Sequence, residues 1–325
     1  RKRRAQKRMI GVTCRVVGWN RRRMIRYEPN SRVAIPTLST ATTVRIGERA
    51  IRITAVGYRP AQPGDLVPDI LLDVVDRVAT ITMNRPERKN AFIVEMFDVL
   101  GDMLRKAAGE PAVRCIVLTG AGDAFSSGLD LIEAAGQVDR LDRIAFTFDA
   151  ERSPAIILQQ IDIPVIAAIN GAAAGYAVGM AINADIRVMA RTARLVPATK
   201  RNLLPESGDT WLLPRLVGWE QAARFYFLGE DMTGEQALAA GVVSELADDS
   251  DSTKNRAGVL AAQIAAMPPQ AVQAAKRLMR AGRTDAYPEH VHRALLQLLP
   301  MFRTKDFAEA VAAFFEKRPA TFTGE

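Results

Sequence analysis

Two runs constrain this chain more than any other feature: "RCIVLTG" (114–120) and "PVIAAING" (164–171). Each strings apolar residues together without alternation and stops at a glycine, which over so short a length reads as a fully buried strand. Strands of that kind need other layers around them. "ILLDVVDRVATITMN" (70–84) reads as two strands joined at Asp76-Arg77, a hairpin. "AFIVEMFDVLGDMLRKAA" (91–108) has apolar residues at 92, 93, 96, 97, 100, 103 and 104, the stripe of a packed helix. "GYAVGMAINA" (175–184) reads as a helix, and "DIRVMA" (185–190) and "ARLVP" (193–197) as strands. From about residue 219 the chain is mostly helical. The rhythm is β-β-α-β, so the plan is an α/β body followed by a helical C-terminal part.

Composition narrows the chemistry. A chain of 325 residues with 48% hydrophobic and 25% charged residues is globular. No apolar run reaches the roughly 18–20 residues that a membrane span needs. Cys14 and Cys115 lie far apart and form neither a metal pattern nor a disulfide framework. His290 and His292 are the only histidines and share a late helical stretch, which argues against Ser-His, Cys-His and histidine-zinc chemistry. The net charge of +8 is unevenly spread. Residues 1–60 hold 16 Lys or Arg against Glu28 and Glu48 alone, while the rest of the chain carries a net of −6.

The chain therefore divides into a basic head (1–66), an α/β core (67–253) and a helical region (254–325). The head shows no sustained apolar period, and its composition reads as a disordered or non-native extension. A nucleic-acid-binding arm and an organelle transit peptide are the alternatives. Val67 would be a plausible true start if it came from an alternative start codon.

Four segments, in this order, resemble the crotonase superfamily of enoyl-CoA hydratases and isomerases. They are "ITMNRPERKNAF" (81–92), "LTGAGDAFSSGLDL" (118–131), "PVIAAINGAAAGYAVGMAINADIRV" (164–188) and "LPRLVGWEQAARFYFLGEDMTGEQALAAGVVSEL" (213–246). The closing "FFEKRPATFTG" (314–324) resembles the family's tail, so the likeness covers about residues 69–325. It implies a crotonase-like α/β spiral of β-β-α repeats with a helical C-terminal trimerisation region, acting on acyl-CoA thioesters. Such chemistry passes through an enolate and needs two donors aimed at the developing oxyanion. By position these are the N–H groups of Leu129 and Tyr176, the second at a helix N-terminus that favours negative charge. The family usually has glycine where this chain has Tyr176, and a tyrosine side chain there can crowd or reshape the pocket. The resemblance also implies coenzyme A contacts at Arg88, Lys89 and Ala91, with Ser127, Gly128, Asp130 and Gly175 beside them. Asp130 and Asp185 match family acids and also suit loop bracing.

The chain departs from the hydratase pattern. The two hydratase glutamates fall on Gly179 and Ala198, neither of which can carry a proton. Glu206, in "LLPESGDTW", stands where isomerase branches of the family keep their proton-moving carboxylate. Its position after Pro205 also reads simply as the start of a helix running towards Leu216. Asp209 is a weaker second candidate. The expected activity is an enoyl-CoA isomerase using Leu129, Tyr176 and Glu206. Hydration or thioester hydrolysis with a different water position, and acyl-CoA binding without catalysis, remain the alternatives. No metal or cofactor is expected beyond coenzyme A as part of the substrate. A homotrimer or hexamer in the cytoplasm is expected, the coenzyme A site borrowing the tail of a neighbour. "LDRIAFTFDAERSPAIILQQ" (141–160) is expected to cover the acyl pocket.

Overall fold

The computed structural model describes residues 69–135 and 152–325, with two further strands, β1 (Thr42–Ile46) and β2 (Arg49–Ile53). Most of the basic head and residues 141–151 of the expected acyl cover lie outside the described residues. β1 and β2 pair as an antiparallel hairpin with Thr42 opposite Ile53, in a stretch where no regular period was expected.

The body opens as read. β3 (Ile70–Val75) and β4 (Val78–Met83) pair antiparallel from Ile70 opposite Met83 to Val75 opposite Val78. Only Asp76 and Arg77 remain for the turn, and both have positive φ, 47° and 69°. Two left-handed residues suit the twist of a two-residue hairpin, and aspartate tolerates that region better than most residues. Helix α1 (Val94–Gly109) buries Met96, Leu100 and Leu104 from the stripe. Phe92, at the head of that stripe, stays outside the helix and forms a parallel bridge with Leu129.

A spiral follows. β5 (Cys115–Gly120) leads to β6 (Ala124–Ser126) and helices α2 (Leu131–Ala135) and α3 (Pro154–Gln160). β7 (Val165–Ile169) leads to β8 (Ala172–Ala174) and α4 (Tyr176–Asn183), and β9 (Ile186–Ala190) to β10 (Arg194–Val196). The first strand of each pair joins a six-stranded sheet and the second a four-stranded one. After α5 (Asp209–Val217) and α6 (Trp219–Phe227), strands β11 (Met232–Thr233) and β12 (Glu245–Ala247) flank α7 (Gly234–Ala239). The sheet orders are β12-β9-β7-β5-β4-β3 and β11-β10-β8-β6. From β5 to β10 each turn thus adds one strand to each sheet, parallel to the one before it, which is the expected crotonase-like α/β spiral.

Burial follows the two-residue period of a strand. Ile116 and Leu118 of β5, with Val165 and Ala167 of β7, face the main core with Leu100, Leu104 and Ile157. Cys115, Val117, Ile166 and Ala168 face the other way, onto Ala257 and Ala261 of helix α8 (Ser250–Ala266). Alanines four apart let that helix lie close to the sheet. The boundary expected at 253/254 falls inside α8. Beyond it come α9 (Pro269–Ala281), α10 (Tyr287–Met301) and α11 (Lys305–Glu316). The C-terminal tail folds back onto its own chain. Arg114 donates to the carbonyls of Ala265 and Phe322, and buried Asp306 accepts from the N–H groups of Thr323 and Gly324 at 2.7 and 2.9 Å.

Candidate active site

Three loops leave the C-terminal ends of β4, β5 and β7, the end of a parallel sheet where ligands usually bind. Two buried asparagines join them. Asn90, at φ 56°, donates from Nδ2 to the carbonyls of Ala121 and Ala124 at 2.9 and 2.8 Å. Its Oδ1 accepts from the Arg85 N–H at 2.9 Å. Asn170 accepts from the Gly120 N–H at 3.0 Å and donates to the carbonyls of Gly122 and Ala124 at 3.0 and 3.2 Å. Each therefore satisfies backbone groups that the turns leave unpaired. Sequence reasoning missed both; the only local signal is an asparagine beside each turn.

The two expected oxyanion donors meet across this framework. The Phe92 N–H donates to the Gly128 carbonyl at 2.7 Å, and the Asp130 N–H to the Phe92 carbonyl at 2.8 Å. That ladder uses the groups on either side of Leu129 and turns Leu129's own N–H away, without an acceptor among the described residues. Tyr176 opens α4, so its N–H has no partner within the helix. Gly175 before it has φ 54° and ψ −123°, a conformation that favours glycine. Gly128 has φ 80°, and a Cβ there would stand 2.5 Å from the Ala174 oxygen and 3.4 Å from the Tyr176 nitrogen. Glycine at 128 is what lets the two segments touch. Ser126 reinforces the arrangement, accepting from the Gly128 N–H at 3.1 Å and donating to the Asn90 carbonyl at 2.7 Å.

Glu206 is not the start of a helix. It lies in a turn over 206–208, and α5 begins at Asp209 after left-handed Gly208. The first-turn acid that favours a helix start is therefore Asp209, and the expectation that Glu206 fills that role is corrected. The turn is pinned to α4. Ser207 Oγ lies 3.4 Å from the Tyr176 carbonyl and 3.2 Å from Asp209 Oδ1, and the Ser207 carbonyl accepts from Asn183 at 2.8 Å. Glu206 is exposed to solvent at its surface, yet the atoms crowding its carboxyl raise its pKa above the usual carboxylate value. Burial is the main cause, and the nearby negative charge of Asp209 adds to it.

Asp209 is fully buried and engaged. The Tyr226 hydroxyl donates to its Oδ2 at 2.7 Å. Burial pushes the Asp209 carboxyl up, with Tyr226 and Ser207 opposing the shift, and burial likewise pushes the Tyr226 phenol up. Gly179 and Ala198 differ in kind. Ala198 borders the oxyanion segment, 3.8 Å from where a Cβ on Gly175 would stand, and its methyl group carries no proton. At Gly179 a Cβ would lie 1.8 Å from Ser207 Oγ and 3.2 Å from Asp209 Oδ1. Ser207 and Asp209 fill that space.

The residues expected along coenzyme A form one lip beside these loops. Arg88 ends a short helical turn (Pro86–Arg88), and the Ser127 N–H donates to the Lys89 carbonyl at 2.9 Å. Lys89 pairs with Asp123 at 2.7 Å, but both are largely exposed and such pairs are worth little. The Ala91 carbonyl accepts from the Arg85 guanidinium at 2.6 Å. Asp130 accepts from Arg85 and from the Glu133 N–H, both at 3.3 Å. Asp185 stands apart, at the opposite end of the sheet, held by Lys276 at 2.6 Å and the Val165 N–H at 2.7 Å.

Comparison with known proteins identifies the family. Residues 74–325 match the family model described as enoyl-CoA hydratase/isomerase. The chain is 34% identical over 262 residues to the 1,2-epoxyphenylacetyl-CoA isomerase of Escherichia coli, covering 79% of this chain and 98% of the relative. It is 36% identical over 259 residues to a Rhodobacter capsulatus protein named "probable enoyl-CoA hydratase", covering 78% and 98%. The crystal structure of an enoyl-CoA hydratase from Bacillus anthracis superposes with a TM-score of 0.74 at 29% identity, covering 79% of this chain and all of that one. With the spiral fold, these matches place the chain in the enoyl-CoA hydratase/isomerase family.

Proposed function

We propose that this enzyme shifts the double bond of an enoyl-CoA, with Glu206 moving the proton. The observation that carries the reading is the state of the carboxylates. The hydratase positions hold Gly179 and Ala198, the space at 179 is filled, and Asp209 is committed to Tyr226. Glu206 is held by no ion pair among the described residues, and its raised pKa makes it a stronger base than an ordinary glutamate.

In this reading the thioester oxygen accepts hydrogen bonds from the N–H groups of Leu129 and Tyr176, which are worth more to the enolate than to the ground-state carbonyl. Glu206 removes a proton from C2, the electron pair moves through the thioester as an enolate, and the same carboxyl returns the proton at C4. Arg88 and Lys89 face the phosphates of coenzyme A from the lip. Subunits associate, as a trimer, through the helical C-terminal region.

The test offers purified enzyme a 3-enoyl-CoA and, separately, a 2-enoyl-CoA, and follows the conjugated thioester chromophore. Chromophore gained from the 3-enoyl substrate and lost in Glu206→Ala is the expected result. Chromophore lost from the 2-enoyl substrate instead would mean hydration, and would overturn the reading of Gly179 and Ala198.

A further inference from the structure

Tyr176 carries a second feature that the oxyanion role of its backbone leaves unexplained. The residue is 5% exposed, and its hydroxyl is buried with no hydrogen-bond partner among the described residues. The ring packs in the core, with its centroid 4.7 Å from Phe97 edge-on and 5.9 Å from Phe92. Those contacts require only a phenyl group. A buried hydroxyl without a partner carries an uncompensated desolvation cost, so phenylalanine would serve the packing better. The hydroxyl lies near Ser153 and Ala155, yet it meets the geometry of a hydrogen bond with neither. Ser153 is itself buried, and its side chain does not cap the helix that follows.

Glu206 is close enough to act electrostatically on the phenol, and Ser207, next to Glu206, hydrogen-bonds the Tyr176 carbonyl. One end of this residue thus offers a free N–H and the other a free O–H, separated by the length of a tyrosine side chain. A thioester whose oxygen meets the N–H brings to the hydroxyl an atom of the acyl chain at the β-carbon or beyond.

We propose that the Tyr176 hydroxyl is a specificity determinant that donates to an oxygen on the acyl chain, so that the enzyme prefers oxygenated acyl-CoA thioesters over plain alkyl ones. The inference rests on the acyl-CoA reading and deepens it. Pairing the hydroxyl removes a standing penalty, whereas an alkyl chain leaves the penalty in place.

The test measures dissociation constants by calorimetry for 4-hydroxybutanoyl-CoA and pentanoyl-CoA, a pair matched in length in which a hydroxyl replaces a methyl. Both are saturated and have no double bond to move. The wild type is expected to bind the hydroxylated thioester about tenfold more tightly. In Tyr176→Phe that ratio falls to within about twofold, and the melting temperature stays level or rises, because an unpaired buried hydroxyl has been removed. Equal affinities in the wild type, an unchanged ratio in the variant, or a lower melting temperature in the variant would each overturn the proposal. If neither thioester binds the wild type, the acyl-CoA reading itself fails, which separates the two failures.

Discussion

At the scale of single residues the site turns on how one carboxyl is left free and another is tied. Glu206 and Asp209 are three positions apart, and both are raised in pKa chiefly by burial. Only Asp209 has buried donors, Tyr226 and Ser207, on its oxygens. Glu206→Gln should therefore lower kcat by about 10²–10⁴, the usual worth of a positioned base, while KM changes little. The sign of the pH dependence follows. Glu206 must be ionised to accept a proton, so kcat/KM should fall as pH drops through its pKa. Because that pKa is raised, the acid limb of the profile should lie above the ordinary glutamate value of about 4.3. A limb at or below that value would remove Glu206 from the role of base. Gly179 makes a different prediction. Any side chain there meets Ser207 within 1.8 Å, so Gly179→Glu should destabilise the fold by about 3 kcal/mol or more rather than create hydration. Thermal melting and the 2-enoyl assay read both halves of that statement.

At the scale of elements the α5–α6 corner is held from inside. Asp209 begins α5, and Tyr226 lies near the end of α6, so their hydrogen bond fixes one helix against the other under the Glu206 turn. Tyr226→Phe removes the closer of the two donors to a buried carboxylate and should cost about 1.5–3 kcal/mol, read by chemical denaturation. The raised pKa of Asp209 adds a pH signature. Folding disfavours its charged form, so its contribution to stability is fully present below the unfolded pKa and is lost as pH rises through the folded one. Asp209→Asn should flatten this stretch of the stability–pH curve above about pH 4. A variant curve parallel to that of the wild type would show that Asp209 does not titrate there.

At the scale of the whole molecule the C-terminal helices present more apolar surface than a solitary chain needs. Leu295, Leu296 and Leu299 of α10 and Phe314 and Phe315 of α11 are all more than half exposed. Exposed apolar side chains in such number usually mark an association site. Light scattering on the full chain should give three times the monomer mass, and Leu295→Glu with Leu299→Glu should shift it towards the monomer. A monomeric wild type would set the trimer aside. The tail is held by Arg114 and Asp306 of its own chain, so the expectation that it reaches a neighbour's site draws no support from this arrangement.

Much of this protein was legible in one dimension because short-range physics writes it there. Strands that alternate between two buried faces must be apolar throughout, hence "CIVL" and "VIAAI". The hairpin follows from two runs separated by two residues, and a helix from its stripe. The oxyanion segments could be located because backbone N–H groups depend on turns and helix starts, which glycines mark. Other features needed the folded chain. Asn90 and Asn170 act on carbonyls some thirty to fifty positions away. The occupied space at Gly179 belongs to Ser207, and the freedom of Glu206 depends on Tyr226 holding Asp209 instead. The unpaired hydroxyl of Tyr176 is an absence of partners among the described residues, which no single residue type signals. Local pattern determined the elements and the order of the sheets' strands along the chain. Which polar atoms are paired, and which are left free for chemistry, was decided only when distant segments were packed against one another, since burial and hydrogen bonding are properties of the neighbours a residue acquires.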